Sequence, residues 1–455
     1  MFIKKLLPPP SFLLFFSRND SVWCNSLRCA RCCVTHSLTK SRNLQYKTEK
    51  HHKKYPTTQK GMLKNVYIVA AKRTAFGTFG GSLKDVSAVE LGAYAAKAAV
   101  EQIGSAEIVD SVFFGNVAQT TTDCAYLARH AGLKAGVPID KPMLTVNRLC
   151  GSGFQSLISG TQDICLGESE ISLCGGSENM SLSPYLVHGV RFGTTLGQDP
   201  PMVDSLWDTL KDKYVGCPMA ITAENLAEKF NVSKDDADNF ALLSQQRWND
   251  ANEAGRFKSE ITPVPIKHRK KGKIDFEVDE HPRPQTTIEM LNKLKPLFKK
   301  DGTVSAGNAS GISDGAGALI VASEDAVNKH NLKPIARIVS YGIAGVPPEI
   351  MGYGPVPAFN QALDRAGLTI DDMDLLEINE AFAPQFLACQ QELGIDMDKI
   401  NVNGGAIALG HPTGASGSRI MAHLAYELQR TDKKYGIGGA CIGGGQGIAV
   451  VIERC

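Results

Sequence analysis

Val66-Tyr-Ile-Val-Ala-Ala and, far downstream, Ile335-Ala-Arg-Ile-Val-Ser are the stretches on which the fold reading turns. Each is a short apolar run of strand length, and the two lead into the same succession of elements. After Val66 come a Gly-rich loop, a stretch of helical period from Ala88 to Ile103, and the strand-like run Val109 to Asn116. After Ile335 come a Gly/Pro loop, a helix from Val356 to Ala366, and the strand-like run Met373 to Ile378. Strand, loop, helix, strand is therefore a shared order.

The parallel continues. Cys150-Gly-Ser-Gly opens a helix-like stretch to Leu166, and the strand Glu170 to Cys174 comes next, ending in Gly175-Gly176. Gly410-His-Pro-Thr-Gly opens a helix through Ser418 to Gln429, and the strand Tyr435 to Cys441 comes next, ending in Gly443-Gly-Gly. Strands alternating with helices predict an α/β protein, with a mainly parallel sheet covered by helices on both faces. Residues 62–328 form the N-terminal half and 329–455 the C-terminal half. Residues at about 180–300 are rich in charges and turn formers. They read as an insertion into the first half, a mixed loop domain over an active site.

The chain has 455 residues, 43% hydrophobic and 21% charged, which is ample for a large core. No apolar run reaches the ~18 residues that a membrane span needs, so no transmembrane segment is expected. The net charge of +2 hides an asymmetry. Residues 1–61 hold 12 Lys and Arg against Asp20 and Glu49, leaving a mildly acidic body. Such a body argues against nucleic-acid binding. The basic, acid-poor extension has the composition of a mitochondrial presequence, although Pro8-Pro9-Pro10 breaks any early helix. Met62 stands just before the first strand, so translation starting there is an alternative. Cys29, Cys32 and Cys33 have no second pair nearby to complete a zinc site. The eight later cysteines lack the spacing of a disulfide framework, which points to a reducing compartment.

Six places carry candidate chemistry. Cys150 sits at a Gly-rich turn before a helix, where the helix N-terminus favours a thiolate. A buried inert thiol is the plainer reading. His411 occupies the matching position in the second half, and Pro412 suits a first helical turn. If a pseudo-twofold axis relates the halves, both turns converge and Cys150 and His411 form an activated nucleophile pair. Cys441 lies in Gly438-Gly-Ala-Cys-Ile-Gly-Gly-Gly-Gln-Gly, too rich in glycine to be a strand for its own sake. That stretch suits backbone N–H groups presented to a developing oxyanion, with Cys441 as proton donor and acceptor. Asn379, just past a strand, can orient a carbonyl or a water. Ser310, in the polar turn from Gly307 to Gly317, is either a ligand contact or part of a tight turn. The basic run Lys267 to Lys273 either attracts a polyanion or is a solvated loop. There is no G-x-G-x-x-G, Walker loop or H-E-x-x-H.

Together, Asn147-Arg-Leu-Cys-Gly-Ser-Gly, Asn379-Glu-Ala-Phe, Gly410-His-Pro-x-Gly-x-Ser-Gly and Cys441-Ile-Gly-Gly-Gly-Gln-Gly resemble the thiolase family, from about Met62 to Cys455. Ser205-Leu-Trp, Ser244-Gln-Gln-Arg-Trp and Asp279-Glu-His-Pro-Arg-Pro-Gln-Thr-Thr resemble its mitochondrial branch in fatty-acid β-oxidation. Members of that branch begin near the position of Met62, so the extension has no counterpart there. The resemblance implies a thiolase fold: two α/β halves with mixed five-stranded sheets in an αβαβα layering, plus a loop domain holding coenzyme A. It implies an acyltransferase that cleaves 3-ketoacyl-CoA with coenzyme A as co-substrate. No cofactor is tightly bound and no metal is needed.

It also implies roles. Cys150 is the nucleophile that becomes an acyl-thioester, His411 activates it, and Cys441 is the general acid and base. The amides of Cys150 and Gly443 form one oxyanion hole, and His411 with a water on Asn379 forms the other. Arg283, Thr286 and Ser310 match positions that contact coenzyme A. A homodimer or homotetramer in the mitochondrial matrix is the implied setting. The nearest alternative is an acetyl-CoA C-acetyltransferase working on acetoacetyl-CoA. An acyl-CoA-binding protein and a cysteine protease are remoter ones.

Overall fold

The computed structural model describes residues 65–268 and 272–455. The N-terminal extension with its three clustered cysteines, Met62, and Arg269 to Lys271 of the basic run lie outside the described residues. The first half contributes strands β1 (Val66–Thr74), β2 (Ser111–Gly115), β3 (Met143–Val146), β4 (Ile171–Asn179) and β5 (Ser313–Ser323). The second contributes β6 (Ala336–Gly345), β7 (Leu375–Ile378), β8 (Tyr435–Ile442) and β9 (Gln446–Arg454). The principal helices are α1 (Ala88–Ile103), α2 (Ser152–Leu166), α3 (Met219–Phe230), α4 (Lys234–Glu253), α5 (Pro355–Ala366), α6 (Ala383–Leu393) and α7 (Ser416–Thr431).

The strand order in the first half is β3-β2-β4-β5-β1, and in the second β7-β8-β9-β6. A single parallel bridge between Leu376 and Ile400 stands where the second half would place its fifth strand. In both halves the strand that comes first in the chain lies at the end shared with the other half. β1 and β6 meet there through only two register pairs, Tyr67 with Arg337 and Ile68 with Ala336. β2, β3 and β4 run parallel, while β5 is antiparallel to both β4 and β1. β7 and β8 are parallel, and β9 is antiparallel to β8 and β6. The sheet is thus mixed, and the expectation of a mainly parallel sheet does not hold: β5 and β9 each insert antiparallel between two neighbours, so antiparallel pairings outnumber parallel ones.

Three helical layers cover the two sheet regions. α1 starts where Ser87 accepts a hydrogen bond from the Glu90 N–H and stops at Gly104, which adopts a left-handed backbone. Its alanines pack on β1, β4 and β5. α5 and α6 cover the outer face of the second half through Phe359, Leu363 and Phe386. Between the sheet regions lie α2 and α7, whose Phe154, Leu157, Ile158, Ile420, Leu424 and Leu428 share one core with strands of both halves.

Gly153 and Gly417 let the first turns of α2 and α7 touch backbone to backbone. A Cβ on Gly153 would lie 2.5 Å from the Ser418 nitrogen, and one on Gly417 would lie 2.3 Å from the Phe154 nitrogen. This contact brings the segment entering α2 beside the segment entering α7.

Two further expectations change. The strand read as Glu170 to Cys174 continues through Gly175 and Gly176 to Asn179. Those glycines do not end it; they leave room for a neighbouring loop, since a Cβ on Gly176 would fall 1.8 Å from the Gly414 carbonyl oxygen. The insertion is also more regular than its charge content predicts. α4 is a 20-residue helix, started by a capping box between Ser233 and Asp236. Only one face is buried, through Ala237, Phe240, Ala241, Ser244 and Trp248, so its composition reads as polar. Among the described residues, no helix is long and apolar enough to cross a membrane.

Candidate active site

Cys150 stands in a tight turn between β3 and α2. Asn147 Oδ1 accepts the Leu149 N–H at 3.0 Å. Ser152 Oγ accepts the Arg148 N–H at 2.9 Å and donates to the Leu149 carbonyl at 2.7 Å. These bonds hold Leu149 at φ 46°, in the left-handed region that costs a branched side chain ~1–2 kcal/mol. The turn leaves Cys150 buried, and burial pushes its thiol up to about 11. The Gly443 N–H acts the other way, and the nearby Glu178 carboxylate adds to the rise. The expectation of a favoured thiolate therefore fails in this state. Desolvation outweighs the helix N-terminus, whose effect is modest at one turn.

His411 is buried at the end of a short loop entered by Gly410 at φ 95°. Burial lowers the imidazole to about 4, and Arg419 adds to this. Its Nε2 lies 3.3 Å from Asn379 Nδ2, and its Nδ1 lies 2.6 Å from Ser416 Oγ, which donates to the Pro412 carbonyl at 3.1 Å. One proton assignment satisfies the whole chain. Ser416 gives its proton to Pro412, so His411 Nδ1–H must donate to Ser416, and Nε2 carries the lone pair. In this assignment His411 is neutral, with its free ring lone pair on Nε2. Asn379 is fully buried, and its Oδ1 has no protein partner.

Cys441 lies near the end of β8, which turns through Gly443, Gly444 and Gly445 into β9. Gly444 and Gly445 have φ of 79° and 84°, which tightens the turn. Burial, together with the neighbouring Cys150 and Cys389, raises the Cys441 thiol well above its ordinary value. Arg148 Nη1 donates to Gln446 Oε1 at 2.8 Å, tying the β8–β9 turn to the Cys150 turn. Cys150, Leu149, Met180, Leu206, Leu210 and Met219 border one apolar pocket. Thr413, two residues beyond His411, reaches the same pocket from the second half.

Ser310 lies beside this centre, and Arg283 and Thr286 belong to a segment that reaches it through His281. Ser310 N–H donates to the Ala381 carbonyl at 3.0 Å, beside Asn379, and the following Gly311 carbonyl accepts the His411 N–H at 2.8 Å. The His281 ring packs on Gly311 and brings in the 281–286 segment. Thr286 Oγ1 donates to the Arg283 carbonyl at 2.7 Å, and the Arg283 N–H donates to Gln245 at 2.8 Å. The Arg283 side chain is exposed.

Sequence reasoning quoted Ser416 and Leu206 within motifs but gave them no role, and it gave none to Glu178 or Met219. Ser416 sits five positions after His411, and that spacing was a usable signal. Leu206 and Met219 come from the insertion, whose path over the site no local pattern reveals.

The pattern that defines the thiolase N-terminal domain matches residues 66–325, and that of the thiolase C-terminal domain matches residues 332–454. The chain is 60% identical over 393 residues to human mitochondrial 3-ketoacyl-CoA thiolase, covering 86% of this chain and 99% of that one. The crystal structure of that human enzyme superposes with a TM-score of 0.85, covering 86% of this chain and 100% of the other. A structure of the human enzyme in complex with CoA gives 0.84 at 58% identity, covering 87% and 99%.

Proposed function

The chain belongs to the thiolase family, and from that premise we infer that it is a 3-ketoacyl-CoA thiolase of fatty-acid β-oxidation. It is an acyltransferase that cleaves 3-ketoacyl-CoA with coenzyme A, giving acetyl-CoA and an acyl-CoA shortened by two carbons. The observation that carries the residue roles is His411, whose Nε2 lone pair faces only the Asn379 amide, at 3.3 Å. It enters from one half of the fold, while the buried Cys150 enters from the other.

Each step of the reaction has a residue to perform it. His411 Nε2 takes the Cys150 proton. The sulfur attacks the 3-keto carbon, and the developing oxyanion is met by the Cys150 and Gly443 N–H groups. The C2–C3 bond breaks, and its electron pair becomes the enolate of acetyl-CoA. His411, with a water held at Asn379 Oδ1, stabilises that enolate, and Cys441 protonates its carbon. A second coenzyme A gives its thiol proton to Cys441, attacks the Cys150 thioester and leaves as the shortened acyl-CoA. The Cys150 sulfur regains its proton from His411. Both thiols start protonated, so the ground state is neutral and charge appears only along the reaction path.

Arg283, Thr286 and Ser310 hold coenzyme A, and the insertion at about 180–300 serves as its loop domain within the half 62–328. Coenzyme A comes and goes as a substrate rather than a tightly held cofactor. The chain works as a homodimer or homotetramer, and the basic extension directs it to the mitochondrial matrix. The mitochondrial relatives support that location.

Initial rates of thiolysis by the full chain test the reading, on acetoacetyl-CoA and on a medium-chain 3-ketoacyl-CoA. Faster turnover of the longer substrate and parallel initial-rate lines are expected. The apolar pocket beside Cys150 favours this outcome. Turnover confined to acetoacetyl-CoA would favour the acetyltransferase, and no turnover of either would remove the assignment of Cys150, His411 and Cys441.

A further inference from the structure

Glu178, near the end of β4, is fully buried, and all five groups that donate to it are uncharged. Its Oε1 accepts from Asn116 Nδ2 and the Ala118 N–H, both at 3.0 Å. Its Oε2 accepts the Val117 N–H at 3.0 Å, Thr413 Oγ1 at 2.9 Å and the Gly414 N–H at 2.9 Å. Burial pushes the acid up to about 7, while the donors from Ala118, Thr413, Val117 and Gly414 pull it down. A buried carboxylate is costly unless its lone pairs are filled, and here they are filled from two different loops. Asn116, Val117 and Ala118 come directly after β2, and Val117 and Ala118 border the pocket with Cys150. Thr413 and Gly414 belong to the loop that carries His411.

We propose that Glu178 is a positioning residue for thiolysis: its carboxylate clamps the 116–118 loop of the first half to the 413–414 segment of the second, and so sets His411 Nε2 against the Cys150 sulfur. The inference rests on the proposed roles of Cys150 and His411. The close approach of Gly176 to the Gly414 carbonyl fixes the height of the His411 loop over β4. That contact is non-directional and leaves sideways movement open. Thr413 and Gly414 donating to one oxygen remove that freedom. A misplacement of about 1 Å between reacting groups costs ~10²-fold in rate, so the clamp acts where rate is most sensitive.

Glu178→Gln keeps the shape but turns one acceptor oxygen into an NH₂ that faces donors. The expected result is a fall in kcat of ~10²-fold with KM changed by less than about threefold. Glu178→Asp, which keeps both acceptors, should recover part of that loss. Thr413→Val removes one donor and should lower kcat several-fold. If both variants act through the same contact, Glu178→Gln/Thr413→Val should be no slower than Glu178→Gln alone. A purely electrostatic role predicts something else. The Glu178 charge raises the Cys150 thiol, so its removal would speed alkylation of Cys150 by iodoacetamide and leave kcat nearly intact.

Native thiolysis with Glu178→Gln retaining kcat within about threefold would overturn the clamp. Absence of thiolysis in the native chain would instead overturn the functional reading. If Glu178→Gln fails to fold by circular dichroism, Thr413→Val decides: unchanged kcat overturns the proposal, and a several-fold loss at constant KM supports it.

Discussion

The turns that carry Cys150 and His411 use one backbone device built from different residues. In each, the residue just before the candidate side chain has a positive φ: Leu149 at φ 46°, and Gly410 at φ 95° with an extended ψ of 169°. In each, the chain then enters a helix of the central layer. Gly410 has no choice of side chain, because a Cβ there would lie 2.4 Å from Ser313 Oγ. Leu149 has a free choice and takes strain, because its side chain walls the pocket beside Cys150. Conformational ease is chosen where the surroundings are crowded, and strain is accepted where a side chain is useful.

The largest effect separates the roles of the two turns. Cys150→Ser should lower thiolysis by a factor on the order of 10⁴, because an oxygen nucleophile with a neutral imidazole partner is far weaker than sulfur. His411→Ala should cost a similar factor, and the double substitution little more, because the two act as one unit. Single-turnover formation of the acyl-enzyme measures this. Additive losses would mean that the turns act independently. Asn379→Ala should be slow rather than inactive, by ~10²–10³-fold, as for loss of one oxyanion-hole donor.

Acidity divides the halves as well. The His411 imidazole falls from an ordinary 6.5 to about 4 on folding. Protonation therefore favours the unfolded chain. The stability contribution of neutral His411 is whole above pH 6.5 and is lost as pH falls toward 4, by up to ~3 kcal/mol. Glu178, raised to about 7, works in the opposite sense. Its ionisation costs stability as pH rises from 4.5 through 7. Urea unfolding midpoints from pH 4 to 7 should show a shallower acid loss for His411→Asn than for the native chain. An unchanged acid limb would mean that His411 is not a buried neutral base.

The symmetry of the two halves was legible in the sequence because strands and helices are local patterns. α1 has the bounds its period predicts, Ala88–Ile103. Cys150, His411, Asn379 and Cys441 were legible as residues because each sits beside glycines or at an element boundary. Their ionisation was not. Cys150 read as a favoured thiolate from its helix, but its ionisation depends on everything packed around it: burial and the Glu178 charge raise the thiol, and the Gly443 N–H, from far along the chain, lowers it. Glu178 itself was invisible. Its five partners come from residues 116–118 and 413–414, and only the folded chain brings those two loops together.

The smallest effects test the exchange of residues between the turns. Gly410→Ala meets both a positive-φ, extended backbone open to glycine alone and the Ser313 hydroxyl, so it should destabilise the fold by ~1–3 kcal/mol and lower kcat. Leu149→Gly removes strain of ~1–2 kcal/mol. It also gives up partial burial against the central core and adds ~0.5–1 kcal/mol of unfolded-chain entropy. These terms nearly cancel, so the unfolding midpoint should move by less than ~1 kcal/mol in equivalent. The pocket, however, loses a wall. The ratio of kcat/KM for a medium-chain substrate to that for acetoacetyl-CoA should then shift several-fold, within the ~1–3 kcal/mol that one apolar contact supplies. A large stability change with an unchanged ratio would mean that Leu149 is kept for packing, and the contrast between the two turns would be accidental.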